Sequence, residues 1–200
     1  MYGLRTRGFF KKNVQYLNYL YYKALFIIGI LFESIGQLLL SNGNDFVYAQ
    51  QPIDFTHWSL LIGVALMIPT IGVFPKKIYT YIGVPIIIVG IVSIIGMCVL
   101  DFIWWSQPTQ EIRNKFAGQI AKSPAIWKPF ISIGPNFLNI GLILLSFNYF
   151  QENKIGVTFI IVATLIIYFG HFIPHRLIYV YLITAIGYTY LFFKKTQNEY

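Results

Sequence analysis

The 200-residue chain is 56% hydrophobic and only 11% charged, with a mean hydropathy of +0.62. Because a typical soluble domain is about one quarter charged residues, this composition argues against an ordinary water-soluble domain. The net charge of +8 does not indicate a nucleic-acid partner, since the Lys and Arg residues lie almost entirely at the ends of apolar runs. That distribution is typical of membrane proteins, so the lipid bilayer is the expected partner.

Six apolar runs predict six membrane-spanning helices, because each approaches the roughly 20 residues that cross a bilayer. In chain order the runs cover residues 24–40, 57–74, 78–100, 130–150, 155–173 and 177–193. We therefore expect an all-α fold, a polytopic bundle of six transmembrane helices. The predicted organisation is a basic cytoplasmic segment, 1–23, one transmembrane domain, 24–193, and a cytoplasmic tail, 194–200.

The basic residues predict the orientation of the bundle. With six spans both termini lie on one side, and ten of the 15 basic residues lie there too: Arg5, Arg7, Lys11, Lys12, Lys23, Lys76, Lys77, Lys154, Lys194 and Lys195. The positive-inside rule then places both termini in the cytoplasm. We expect the bacterial cytoplasmic (inner) membrane as the location.

The connection between spans three and four contains a helical pattern of its own. Its apolar residues recur every four positions, at Ile112, Phe116 and Ile120, and polar residues occupy the other faces. This spacing predicts a short amphipathic helix that ends before Pro124 and lies at the outer interface. The pattern leaves open whether the helix covers a cavity between the spans or only rests on the lipid headgroups.

Glu33 is the most unusual residue of the first span. It lies ten residues beyond Lys23, which is about 15 Å along a helix and therefore near the bilayer midplane. Acidic side chains at that depth usually face the bundle interior and are candidates for function. Gln37 follows on the same helical face. The alternative is that both residues only hold neighbouring helices together through hydrogen bonds.

The fourth span offers polar partners for these two residues. Gly134-Pro135 predicts a kink, because proline removes a backbone donor and clashes with the preceding turn. Asn136 and Asn139 follow within one helical turn. A loosened backbone with two amides is typical of a cavity lining in transporters, although Asn can equally serve helix packing. We therefore predict a ligand-binding cavity lined by Glu33, Gln37, Asn136 and Asn139.

A second candidate site lies at the outer ends of the spans. It combines three histidines with one acidic residue: His57, Asp101, His171 and His175. Three imidazoles and a carboxylate are able to hold zinc tetrahedrally with one open position. Pro174 favours a turn around His171 and His175, however, and histidines at a membrane interface commonly have no ligand at all.

Three classes of function remain open from these patterns. The favoured one is binding or transport of a small molecule or lipid through a polar cavity open to the outer face. The second is a membrane-embedded metal-dependent hydrolase, with zinc as its cofactor. The third is a non-catalytic accessory subunit that binds partner membrane proteins or a second copy of itself. The sequence contains no recognisable nucleophile motif or phosphate-binding motif, so whether the protein is an enzyme stays open.

Overall fold

A computed structural model describes the backbone of residues 3–50 and 52–193, and the side chains from Tyr19 onward in these ranges except Val73. The predicted tail, 194–200, and the basic side chains before Tyr19 lie outside the described residues. The α-helices are α1 (Gly3–Leu40), α2 (Asn44–Ala49), α3 (Phe55–Met67), α4 (Ile78–Trp105), α5 (Gln110–Ala121), α6 (Pro124–Ile126), α7 (Gly134–Ser146), α8 (Lys154–Phe169) and α9 (Arg176–Phe193). The described residues contain no strand, as expected where lipid cannot satisfy backbone polar groups.

Five stretches are long and apolar enough to cross a membrane: Tyr19–Leu40, Phe55–Gly72, Ile78–Trp105, Pro124–Tyr149 and Arg176–Phe193. This result supports the prediction of an all-helical, membrane-embedded protein. α8 is apolar but has 16 residues, which corresponds to a rise of about 24 Å against a hydrocarbon core of about 30 Å. The count of six spans and their orientation therefore remain predictions.

The turn between α8 and α9 differs from the sequence prediction in its details. The predicted fifth span reached residue 173, but α8 ends at Phe169. The last span was predicted to begin at residue 177, and α9 begins one residue earlier, at Arg176. The helix extends no further back, because the φ of His175, 52°, lies in the left-handed region that a right-handed helix excludes. His171 and His175 accordingly flank a turn, as Pro174 predicted.

Two hydrogen bonds between distant segments show that α1 and α9 run antiparallel. Lys23 Nζ near the start of the first span donates to the carbonyl of Phe192 near the end of α9 (3.3 Å). Ser34 Oγ, further along α1, donates to the carbonyl of Ile178 near the start of α9 (3.0 Å).

Gly36 of α1 lies beside Leu60 near the start of α3, and His57 of α3 contacts Asp101 near the end of α4. The end of α1, the start of α3, the end of α4 and the start of α9 therefore lie together. We call this the α5 end of the bundle, because α5 lies there.

Glycines allow α1 and α3 to pack with their backbones in contact. A Cβ added at Gly29 would lie 2.5 Å from the carbonyl oxygen of Gly63, and a Cβ at Gly63 would lie 2.8 Å from Oε1 of Glu33. Both distances are too short for a side chain, so only glycine fits. The close approach of α1 and α3 places Glu33 directly against the backbone of α3.

The kink predicted at Gly134-Pro135 is present as a break in the fourth span. Residues Trp127–Ser132 form a π-helical turn, and α7 starts anew at Gly134 with Pro135 in its first turn. The amide of Ile133 bonds the carbonyl of Lys128 five residues earlier (2.8 Å). Asn136 Nδ2 donates to the carbonyl of Ser132 (3.1 Å), which gives a partner to a backbone group that the break would otherwise leave exposed.

The amphipathic helix predicted between spans three and four is confirmed as α5. Thr109 caps its first turn, since Thr109 Oγ1 accepts from the amide of Ile112 (3.3 Å). The helix ends at Ala121, before Pro124. No residue of α5 is buried, so the helix rests on the end of the bundle and does not belong to its core.

Candidate ligand cavity

A cavity of about 300 Å³ opens at the α5 end of the bundle. Its walls are mostly apolar and come from five helices and the π-helical turn: Leu40, Asn44, Val47, His57, Leu60, Met97, Leu100, Asp101, Trp104, Phe116, Ala117, Ile120, Trp127 and Ile131. The volume is at the lower end of the range for small-molecule sites. A mostly apolar wall with few polar groups is also the composition that such sites share.

α5 forms one wall of this cavity. Phe116 and Ile120, two of the three residues that define its apolar face, line the cavity together with Ala117. The sequence left open whether α5 covers a cavity or lies only on lipid. The structure places its apolar face over the cavity, and its remaining faces point away from the bundle.

Aromatic side chains hold this part of the protein in place. The ring of Tyr48 in α2 stacks on Trp104 at the end of α4, with 4.6 Å between ring centroids. Trp105 Nε1 donates to the carbonyl of Val47 (3.0 Å). The guanidinium of Arg113 in α5 lies 3.6 Å from the centroid of the Tyr48 ring, a cation–π contact. α2 is thus attached to α4, and α5 to α2.

The polar part of the cavity is an Asp–His–Asp arrangement. Asp54 precedes α3 and caps it, because Asp54 Oδ1 accepts from the amide of His57 (3.1 Å). Asp54 Oδ2 lies 2.5 Å from His57 Nδ1. The second ring nitrogen, His57 Nε2, lies 3.4 Å from Oδ2 of Asp101 at the end of α4. One imidazole therefore lies between two carboxyl groups that come from different helices.

The three groups differ in their exposure to solvent. Asp54 and His57 are 2% and 4% exposed, whereas the side chain of Asp101 is 30% exposed. An ionised carboxylate only accepts hydrogen bonds, so the short contact with Asp54 places a proton on Nδ1. The imidazole is fixed in orientation by this bond, and its Nε2 edge is directed toward Asp101 and the cavity.

The predicted ligand-binding residues lie in three different places. Glu33 is 1% exposed, and its Oε1 has no hydrogen-bond partner among the described residues. Gln37 lines a second, shallower recess at the α5 end together with His175 and Arg176. Asn136 bonds the backbone of its own helix. None of these residues lines the cavity described above.

Asn139 has a different environment from the other three predicted residues. It is 9% exposed, and its side chain lies close to the hydroxyl of Tyr181 in α9. Glu33, in contrast, packs against Gly63 of α3.

The structure brings together two of the four predicted metal ligands. His57 and Asp101 are in contact, whereas His171 is exposed at the turn before α9 and His175 lines the second recess. In residues 3–50 and 52–193, no group of three or more His, Cys, Asp or Glu side chains is arranged to hold a metal ion.

Asp54 is the site residue that the sequence interpretation missed. Its signal was local, because an aspartate directly before an apolar run is a helix N-cap, and a residue three positions later is then within its reach. His57 occupies that position. The spacing Asp-x-x-His at the start of a span was therefore sufficient to predict the first half of the Asp–His–Asp arrangement.

No protein-family model, curated protein or solved structure matches this chain. The described structure itself defines the class: an all-helical, membrane-embedded protein with an Asp–His–Asp arrangement beside a mostly apolar cavity.

Proposed function

We propose that this protein is a multi-pass membrane protein that binds one small amphiphilic molecule or lipid in the cavity at the α5 end. The single observation that carries the proposal is the composition of the cavity wall. The Nε2 edge of His57 and the carboxylate of Asp101 form a polar region, and nearly all other lining residues are apolar. A ligand with a polar head and an apolar body matches both parts.

The proposal includes six spans, with both termini in the cytoplasm and the α5 end at the outer face. α8 is short, and residues 170–175 form the turn that leads to α9, so the proposal takes α8 as a span on its apolar composition. The basic residues support this orientation, since Lys76, Lys77 and Lys154 lie in the turns at the opposite end. The cavity is then open at the outer face of what we infer is a bacterial cytoplasmic membrane.

The attachment of α5 supports a role in ligand access. The helix has no buried residue, and its apolar face covers the cavity. A weakly packed segment opens at a lower free energy than the bundle core. Movement of α5 would therefore open the cavity toward the headgroup region without disturbing the contacts between the spans.

Transport is the second part of the proposal. A ligand that moves from the cavity toward the bilayer midplane would meet Glu33 as the next polar group. Cys98 is buried one turn deeper than Asp101 on α4, and Glu33 is buried against Gly63 of α3, six residues further along that helix than His57. Acidic groups inside a membrane bundle are typical of ion and substrate pathways. Glu33 would exchange a proton as the ligand passes.

The experiment that tests binding fills the cavity from α5. Ala117→Phe adds a ring to the cavity wall, whereas Gln119→Phe adds the same ring at an exposed position of the same helix. Radiolabelled decyl glucoside, an uncharged amphiphile, serves as the probe for protein in lipid nanodiscs. We expect saturable binding to wild type and to Gln119→Phe, and a loss of at least about tenfold in affinity for Ala117→Phe.

Equal binding to the two variants would contradict the proposal, and so would an absence of saturable binding to wild type. Native mass spectrometry of the purified protein gives an independent measurement. It should detect a co-purifying amphiphile that is lost in Ala117→Phe and retained in Gln119→Phe.

A second candidate function, hydrolysis of the bound molecule, is favoured by the Asp54–His57 contact. A carboxylate on Nδ1 orients an imidazole so that Nε2 is able to act as a general base. Release of fatty acid or alcohol from a bound ester, lost in His57→Gln with binding retained, would favour this candidate. Its metal-dependent form would additionally require zinc bound in proportion to protein and removed by His57→Ala.

A further inference from the structure

We propose that the ligand of the cavity at the α5 end is an organic cation, an amphiphile whose head is a protonated amine or a quaternary ammonium group. This inference rests on the proposed binding function and specifies the chemical class of the ligand. It follows from the charge balance of the Asp–His–Asp arrangement and from the aromatic residues of the cavity wall.

The ionisable groups at the cavity carry more negative charge than positive charge. His57 and Asp101 are its ionisable lining residues, and Asp54 lies directly behind His57. Even a protonated imidazole offsets only one of the two carboxylates. Within the described part of the chain, no Lys or Arg lines the cavity. In a mostly apolar site such an imbalance is costly, and a cationic ligand would remove it.

The two carboxylates are not equivalent. Asp54 is buried and uses both oxygens, one on the amide of His57 and one on its ring. Asp101 is partly exposed. Its Oδ2 lies 3.4 Å from His57 Nε2, which is a longer contact than the one between Asp54 and the same ring. The carboxylate of Asp101 is therefore the group with capacity to accept hydrogen bonds from, or pair with, a cationic head.

Arg113 of α5 does not supply the missing charge. Its guanidinium lies over the ring of Tyr48, and its Nε also donates to the carbonyl of Thr109 (3.4 Å). Neither Arg113 nor Tyr48 lines the cavity. Arg113 thus contacts Tyr48 and the backbone of Thr109 and is not part of the cavity wall.

Aromatic side chains in the cavity wall suit an organic cation better than a metal ion. Trp104 lies one turn after Asp101 on α4, and Trp127 and Phe116 contribute from other segments. The faces of aromatic rings, indole above all, attract ammonium groups, and quaternary ammonium ligands are recognised by such rings. The apolar remainder of the wall then accommodates the hydrocarbon body of the ligand.

The test compares three amphiphiles with the same decyl chain: decyltrimethylammonium, decyl glucoside and decyl sulfate. Each is measured on full-length protein in phosphatidylglycerol nanodiscs, which bring no organic cation into the assay, with empty nanodiscs as the background. We expect decyltrimethylammonium to bind at least about tenfold more tightly than decyl glucoside, through charge pairing and cation–π contact. Decyl sulfate should bind more weakly than both.

Asp101→Asn should abolish the preference for the cation while it leaves decyl glucoside binding within about twofold. The matched control is Glu111→Gln, which removes one negative charge from the exposed start of α5, outside the cavity lining. The preference should persist in that variant. If Asp101→Asn does not fold, the ranking of the three probes on wild type still decides the question.

The outcomes separate the two proposals. Equal saturable binding of the cationic and uncharged probes would retain the binding function and overturn the cationic ligand. A preference for decyl sulfate would do the same. Failure of all three probes to bind saturably would overturn the binding function itself, and the cationic ligand with it.

Discussion

The Nε2 atom of His57 lies 3.4 Å from Oδ2 of Asp101, so the first turn of α3 and the last turns of α4 meet at one polar contact. Both residues line the cavity at the α5 end. The contact joins two helices whose other residues at this level are largely apolar. The packing of α3 against α4 therefore determines how the two polar groups of the cavity are placed relative to each other.

Asp54 caps α3 and orients the ring of His57, and two substitutions separate these roles. Asp54→Asn keeps a side-chain oxygen to cap α3 but offers an amide donor to His57 Nδ1, which reverses the tautomer of the ring. We expect the free energy of unfolding to stay within about 1 kcal/mol of wild type. The affinity for decyltrimethylammonium should fall by about tenfold, because a proton on Nε2 would compete for Asp101.

Asp54→Ala serves as the comparison, since it removes the cap as well. It should lower the free energy of unfolding by a further amount of about 1 kcal/mol, measured by denaturation in mixed micelles. If Asp54→Asn and Asp54→Ala are equally unstable, the capping role is wrong. If Asp54→Asn binds like wild type, orientation of His57 does not matter for the ligand.

The contact between Gly29 and Gly63 predicts a strong effect of one methyl group. In Gly29→Ala the new Cβ would lie 2.5 Å from the Gly63 carbonyl oxygen, so α1 and α3 must separate. We expect the free energy of unfolding to fall by about 1–3 kcal/mol. Denaturation in mixed micelles, followed by circular dichroism, is the measurement.

Gly118→Ala is the matched control for this change. A Cβ at Gly118 meets nothing within 4 Å, and alanine is the better helix former by about 1 kcal/mol. Gly118→Ala should therefore be neutral or stabilising. A Gly29→Ala protein as stable as Gly118→Ala would show that α1 and α3 do not pack as described.

Glu33→Gln separates binding from transport. Glu33 does not line the cavity and lies deeper, against Gly63 of α3, so the affinity for decyl glucoside should remain within about twofold of wild type. The amide has nearly the same shape as the carboxyl group, and the fold should be retained. Proton-coupled uptake of the probe into proteoliposomes should be lost, because an amide side chain does not bind and release a proton near neutral pH.

Glu152→Gln provides the control for uptake, since Glu152 lies at the opposite end of the bundle in an exposed ion pair with Lys77. Its uptake should equal that of wild type. Normal uptake by Glu33→Gln would remove Glu33 from the transport pathway. A large loss of decyl glucoside affinity in Glu33→Gln would mean that the cavity extends to the midplane.

Local patterns made most of the helices predictable. The apolar runs and the four-residue spacing of Ile112, Phe116 and Ile120 depend only on neighbouring residues, so α5 was predicted from sequence. The boundaries near Pro174 were not, because the positive φ of His175 is set by the turn as a whole. Helix ends depend on tertiary context more than helix interiors do.

The candidate site was only half predictable. Asp54 and His57 are three residues apart, and their contact follows from helix capping. Asp101 is 44 residues further along the chain than His57, so its approach depends on how α3 and α4 pack. Polar residues in apolar spans indicate candidates for function, but the spans' rotations decide which of them meet. Glu33 and Gln37 share a face of α1 yet contact different helices for this reason.

In the orientation that we propose, α5 connects the cavity to the surface of the membrane. The helix carries Arg113, Lys115 and, at its end, Lys122, and it buries none of its residues. Anionic headgroups attract such a helix with about 1 kcal/mol per basic residue. The lipid charge of that leaflet would therefore compete with the cavity for α5, and the protein would hold its ligand more or less tightly according to the composition of the surrounding membrane.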